Sequence, residues 1–116
     1  MVTRVDSEGA KLYEPYVHMG FRLKSLHVVA TAEMEIQASW PPVLLIDPDG
    51  NTTVLLPPED ESVDLVFFIR NTADAAQTLT VQEDGSSTTI ATLAQDEGAM
   101  FHCDGLTWRV FETAGP

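Results

Sequence analysis

Several residue types that support chemistry or anionic partners are scarce in this 116-residue sequence. Its one cysteine, Cys103, excludes an internal disulfide. Six Lys and Arg residues stand against 18 acidic residues, and the formal net charge is −12. Phosphate backbones and anionic lipids repel such a chain, so we expect neither nucleic acid nor a membrane as a partner. No apolar run approaches the roughly 20 residues that cross a bilayer, and no signal peptide is evident, which predicts synthesis in the cytoplasm.

The residues that could ligate a metal or act as a nucleophile are too dispersed to predict a site. A zinc site needs three or four ligands, whereas the three histidines, His18, His27 and His102, lie in unlike contexts. In a strand, His102 and Cys103 would point to opposite faces and could not hydrogen-bond to each other. The spacing of Asp47 and Asp49 does not match a calcium loop. We therefore predict no catalytic residue, no metal and no cofactor, and a cupin-like enzyme is the least favoured alternative.

Most of the sequence has the pattern of β-strands separated by turns. Two apolar runs, residues 43–46 and 52–56, flank "DPDGN", in which Gly50 accepts positive φ at no steric cost, and this predicts a hairpin. The run "SVDLVFFIRN" predicts a central strand buried on both faces. A second hairpin is predicted around Asp104 and Gly105, between "AMFHC" and "LTWRVFE". Seven or eight strands at this spacing predict one all-β domain, a β-sandwich or a jelly-roll or barrel.

The first 20 residues differ from the rest of the chain. Gly9, Pro15 and Gly20 interrupt any regular period, which predicts an extended N-terminal arm, with one short strand at residues 11–13, ahead of an all-β body at 21–116. Residues 31–116 contain only two basic residues, Arg70 and Arg109, against 15 acidic ones, whereas the N-terminal 30 residues are weakly basic. This division of charge suggests two surfaces with different roles.

An aromatic residue followed by two prolines, Trp40-Pro41-Pro42, has two interpretations. It could pack in the core at a strand edge, or it could anchor a subunit interface, where Trp is enriched. The sequence leaves both open.

The order of motifs from residue 43 to 110 resembles a module of tailed-bacteriophage virion proteins. The stretches that carry the resemblance are "LLIDPDGNTTVLLPPEDES" and "VFFIRNTADAAQTLTVQEDGSSTTIATLAQDEGAMFHCDGLTWRV". The pattern is similar to that of small capsid decoration (cement) proteins and of segments of tail fibres. For individual residues the resemblance implies structural roles. It implies turns at Asp47, Gly50, Asp104 and Gly105, and core positions at Phe68, Ile69, Phe101 and Trp108.

The resemblance implies a homotrimer on the exterior of the virion head. Such a protein binds the lattice of the major capsid protein and stabilises it against the pressure of packed DNA, because it binds only the assembled form. A short chain with an acidic body fits decoration better than a fibre. We expect an arm that includes Arg4, Lys11, Leu12, Tyr13 and Tyr16 to grip the shell by adding to a neighbouring sheet.

The alternative is a receptor-binding or carbohydrate-binding module of a tail fibre or spike. In that case Tyr13, Tyr16, Trp40 and Trp108 would stack on sugar rings.

Overall fold

The structure, a computed structural model, describes residues 22–85 and 88–112. The predicted arm at residues 1–20, with Arg4, Lys11, Leu12, Tyr13 and Tyr16, lies outside the described residues. Nine strands and one 3-10 turn at Glu59–Glu61 are present in the described part. The strands are β1 Ser25–Ala30, β2 Met34–Glu35, β3 Val43–Pro48, β4 Thr52–Leu55, β5 Val66–Asn71, β6 Leu79–Gln82, β7 Thr89–Leu93, β8 Gly98–Cys103 and β9 Trp108–Phe111. The predicted all-β single-domain fold is confirmed.

The strands form two sheets, and the chain alternates between them. The five-stranded sheet has the order β1-β3-β5-β8-β9, and the four-stranded sheet has the order β2-β4-β6-β7. From β1 to β6 each strand lies in the opposite sheet to the one before it, and strands in the same sheet pair in parallel. Parallel pairs need a long crossover, and here the crossover is a strand of the facing sheet. The last three pairings, β5–β8, β6–β7 and β8–β9, are antiparallel.

One apolar core lies between the two sheets. Alternate residues of each strand point into it, because successive side chains of a strand point to opposite faces. Strand β3 shows this clearly, since Leu44 and Ile46 are fully buried and their neighbours are half-exposed. Three of the residues assigned to the core by resemblance, Ile69, Phe101 and Trp108, lie here.

The fourth residue assigned to the core, Phe68, lies on the outer face of β5, and that prediction was wrong. Its side chain is 39% exposed, whereas its neighbours Phe67 and Ile69 are each 1% exposed. The run of apolar residues suggested a strand buried on both faces. In the described part of the chain, only the face toward the second sheet is covered.

The hairpin predicted around Gly50 is also absent. Strands β3 and β4 belong to different sheets and do not pair, so the connection is a corner between sheets. Gly50 does take positive φ, +88°. Asp47, predicted to lie in the turn, is instead part of β3, where it pairs with Val29. Parallel pairing with β1 extends β3 through Pro48, which moves the turn to residues 49–51.

The hairpin predicted at Asp104 and Gly105 is present between β8 and β9. Gly105 has a φ of +95°, and the Asp104 carboxylate accepts hydrogen bonds from the backbone N–H groups of Leu106 and Thr107, each at 2.9 Å. These bonds hold the pKa of Asp104 below its usual value, with a smaller contribution from the Arg109 guanidinium. The turn is therefore fixed by local hydrogen bonds.

A buried asparagine joins the two sheets. Asn71, at the end of β5, has no exposed surface, and its amide nitrogen donates to the carbonyl oxygens of Gln77 at 2.8 Å and Leu93 at 2.9 Å. Its side-chain oxygen accepts from the N–H of Ala73 at 2.9 Å. Because Leu93 belongs to the four-stranded sheet, this side chain links the two layers and satisfies backbone groups that would otherwise be buried without partners.

Candidate functional site

The cluster His102-Cys103-Asp104 divides between two faces of the sheet. Cys103 is fully buried and its Sγ lies 3.7 Å from the carbonyl oxygen of Glu59, while His102 lies half-buried on the outer face. Burial raises the pKa of the Cys103 thiol, and nearby carboxylates raise it further. A nucleophilic cysteine needs a lowered pKa. This thiol is therefore held in its protonated, unreactive form.

The acidic residues do not converge on an ion site in the described part of the chain. No group of three or more His, Cys, Asp or Glu side chains there is placed to hold a metal ion. One carboxyl pair interacts, since hydrogen bonding with Glu59 raises the pKa of Glu83, and partial burial adds to the shift. The described residues also contain no helix long and apolar enough to span a bilayer.

The most distinctive surface is the outer face of the five-stranded sheet, which carries a row of apolar side chains. The strand register aligns Val43 of β3 with Phe68 of β5, Phe68 with Met100 of β8, and Met100 with Phe111 of β9. Phe111 is 56% exposed. The row crosses four neighbouring strands, so its members form a continuous strip instead of isolated surface residues.

A groove follows this row. It has a volume of about 390 Å³, and its wall includes the side chains of Val43, Leu45, Phe68, Arg70, Met100 and Phe111. Gly98 lies opposite Arg70 in the register and presents no side chain to the outer face. A Cβ there would lie 3.1 Å from the carbonyl oxygen of Ile69, closer than most real contacts. The absence of a side chain at Gly98 leaves the groove open at this point. We call the strip and its groove the apolar face.

The two arginines of residues 31–116 flank the apolar face. Arg70 points outward from β5 beside the groove, and Arg109 points outward from β9, where it pairs with His102. Each has an exposed carboxylate nearby: Arg70 lies 3.9 Å from Asp96, and Arg109 lies 3.3 Å from Asp104. Exposed ion pairs of this kind are weak, so both guanidinium groups stay accessible to a partner.

The outer face of the four-stranded sheet has a different character. Its register aligns three threonines, Thr53 of β4, Thr80 of β6 and Thr92 of β7. Threonine ladders are common on solvated sheet faces, because the methyl and hydroxyl groups of neighbouring strands contact each other. The two outer faces therefore differ: one is polar and suited to solvent, and the other is apolar with a cationic margin.

The residues predicted to form a subunit interface are close to the core. Trp40 is half-buried and packs against the core cluster, and Pro41 and Pro42 are likewise half-buried. The carbonyl oxygen of Pro42 accepts a hydrogen bond from the N–H of Phe68 at 2.7 Å. These contacts agree with the packing interpretation of the motif, and they do not test an interface.

Of the aromatic residues considered for sugar stacking, Trp108 is buried, Trp40 is half-buried, and Tyr13 and Tyr16 lie outside the described residues. Trp108 is 3% exposed, its Nε1 donates to the carbonyl oxygen of Pro57 at 2.9 Å, and its ring stacks on Phe67 with centroids 5.9 Å apart. The exposed aromatic residues in the described ranges are Phe68 and Phe111, and both lie on the apolar face.

Sequence reasoning missed the apolar face as a unit. Phe68, Met100 and Phe111 were each part of a predicted strand, and alternation could have assigned Phe68 to the face opposite Phe67. Their alignment depends on the pairing of β5 with β8, and no local pattern reveals that pairing.

Comparison of the chain with protein-family models, with curated proteins and with solved structures finds no match.

Proposed function

We propose that this chain is a non-catalytic binding protein of a tailed-phage virion, a decoration protein that binds the outside of the assembled head. The observation that carries the proposal is the apolar face flanked by Arg70 and Arg109 on an otherwise acidic body. The sequence resemblance to phage virion modules supplies the biological setting.

The apolar face has the properties of the centre of a protein interface. Interface cores are enriched in aromatic residues, Met and Arg and depleted of Lys and acidic residues, and this strip has that composition. Phe68 and Phe111 are 39% and 56% exposed. Burying this exposed surface in an interface would contribute roughly 2–3 kcal/mol to the binding free energy for each residue, at about 25 cal/mol per Å². Part of this is offset by the entropy lost on association.

The charges around the apolar face indicate what kind of partner surface it can bind. Acidic residues elsewhere on the body repel an acidic surface, whereas Arg70 and Arg109 attract carboxylates. The expected partner surface is apolar at its centre with acidic groups at its margin. A repeated lattice of capsid subunits would present this surface many times, and each bound copy would stabilise the assembled lattice by mass action. A homotrimer would bridge neighbouring subunits of that lattice.

A co-sedimentation experiment tests the proposal. Purified protein is mixed with assembled heads of the phage that encodes it, and bound protein is measured in the pelleted heads. We expect saturable binding that the double variant Phe68→Ser, Phe111→Ser weakens at least tenfold. The matched control is Thr80→Ser, Thr92→Ser on the other outer face, which should bind as the parent does.

Two results would contradict the proposal. Unchanged binding of the double variant would exclude the apolar face as the contact. Binding to host cells or to a glycan array, with no binding to heads, would favour the tail-fibre alternative. Light scattering at micromolar concentration measures the expected trimer separately.

A further inference from the structure

The edge of the five-stranded sheet that β1 forms has no neighbouring strand within the described residues. The sheet order makes β1 the outermost strand, beside β3 alone. The carbonyl oxygens of Lys24 and Ala30 accept hydrogen bonds from the β3 side. Backbone groups of successive residues point to opposite sides of a strand. The N–H and C=O groups of Ser25, His27 and Val29 therefore point away from β3, toward the open side of the sheet.

The apolar core is incompletely covered at this edge. Leu26 and Val28 point toward the core from β1 and are half-buried. Their partners in β3, Leu44 and Ile46, are fully buried. On the outer side of β1, Val29 is 63% exposed. A further strand beside β1 would cover these apolar side chains and pair the free backbone groups of the edge.

The charges at the two ends of β1 are of opposite sign. Arg22 and Lys24 lie at its beginning, and neither makes an ion pair within the described residues. Glu33 follows the strand, and Asp49 lies beside its end, where its N–H donates to the carbonyl oxygen of Ala30 at 2.9 Å. A second copy of β1 running in the opposite direction brings the basic end of each strand next to the acidic end of the other. A parallel copy sets like charges side by side, which is unfavourable.

We propose that two copies of this protein pair through the β1 edge, antiparallel and related by a two-fold axis at His27. This register sets His27 against its counterpart and Ser25 against Val29, so every outward-pointing residue of β1 has a partner. Such residues exchange both N–H···O bonds, which gives about six bonds across the edge. On the core side, Leu26 of each copy packs on Val28 of the other. The inference does not rest on the proposed function, since the β1 edge is separate from the groove of the apolar face.

A cysteine cross-link tests this register. In His27→Cys the two introduced thiols meet at the axis, with Cα atoms about 5.5 Å apart, a separation that a disulfide spans. In the matched control Val29→Cys, the thiols lie four residues apart along the paired strands, roughly 13 Å, which a disulfide cannot span. The native Cys103 is fully buried and does not compete. Under mild oxidation we expect His27→Cys to form covalent dimers at least ten times faster than Val29→Cys.

Light scattering with an edge-blocking variant tests the contact itself. Lysine on an edge strand opposes pairing, so Val29→Lys should halve the particle mass measured for the parent at micromolar concentration. Leu106→Lys, at an 87% exposed position in the turn between β8 and β9, is the control and should keep the parent mass. Equal masses of the parent and Val29→Lys, or equal cross-linking rates of the two cysteine variants, would overturn the proposal. Neither result bears on whether the protein binds phage heads.

Discussion

Replacement of Asn71 by alanine should destabilise the protein far more than an ordinary loss of one hydrogen bond. The Asn71 side chain makes three hydrogen bonds of 2.8–2.9 Å to backbone groups and has no exposed surface. Truncation leaves the carbonyl oxygens of Gln77 and Leu93 and the N–H of Ala73 without these partners. It also leaves a cavity between the sheets.

The expected magnitude follows from the cost of unsatisfied buried groups. Each buried group that loses its partner costs about 1–3 kcal/mol, and water reaching the exposed edge of the site offsets part of this. We therefore expect a loss of about 3–5 kcal/mol in the free energy of unfolding. For a domain of this length, about 2.1 cal/mol/K of unfolding entropy per residue converts this to a fall in Tm of roughly 12–20 °C.

Asn51 is the matched control. Its side-chain oxygen also accepts a backbone hydrogen bond, from the N–H of Thr78 at 2.9 Å, but at an exposed position. Water can replace the lost partner there, so Asn51→Ala should cost only about 0.5–1.5 kcal/mol. Urea unfolding followed by circular dichroism measures both variants.

Similar free energies of unfolding for the two alanine variants would refute this reasoning. Equal losses would mean that the buried bonds of Asn71 contribute no more than an exposed one, and that the link between the two sheets is energetically unimportant. A change in the slope of the urea transition for Asn71→Ala alone would show instead that the sheets no longer unfold together.

Three smaller perturbations test other parts of the fold. Trp108→Phe keeps an aromatic ring against Phe67 but leaves the buried carbonyl oxygen of Pro57 without its donor, so it should cost about 1–3 kcal/mol in urea unfolding. No loss would contradict the role of the Nε1–H. Gly50→Ala places a Cβ at a φ of +88° in open space, so backbone strain alone should cost about 1 kcal/mol, and an unchanged Tm would show that the corner adapts. The pKa of Asp104 is lowered on folding, so its charge stabilises the fold above its ordinary pKa of 3.8 and ceases to do so as the pH falls through the lowered value. The stability difference between the parent and Asp104→Ala should therefore be larger at pH 7 than at pH 3, and a difference independent of pH would contradict the charge-based explanation.

The sequence predicted what depends on neighbouring residues. The turn at Asp104 and Gly105 was recognised because its hydrogen bonds and its positive φ lie within four residues of one another. The strand character of β5 followed from its β-branched and aromatic residues. These features are local, and local patterns encode them well.

The misassignments arose where pairing partners lie far apart in the chain. "DPDGN" has the composition of a hairpin turn, and nothing within it distinguishes a hairpin from a corner between two sheets. Asp47 belongs to β3 because β3 is extended by pairing with β1, in which its partner Val29 lies 18 residues earlier in the chain. The sequence around Asp47 does not show this pairing, so the residue was assigned to the turn. The exposure of Phe68 likewise depends on whether another layer covers that side of the sheet, which the strand itself does not encode.

The alternating path of β1 to β6 gives the body two unlike ends. At one end the edge strands are β1 and β2, which belong to parallel ladders, and at the other they are β9 and β7, which close their sheets in antiparallel pairs. Solenoids with this organisation grow by stacking one more turn of chain on an open rung and stop at a terminal cap. An added turn of chain would therefore be accommodated next to β1 and β2, while the Asp104 hairpin would keep its position at the other end.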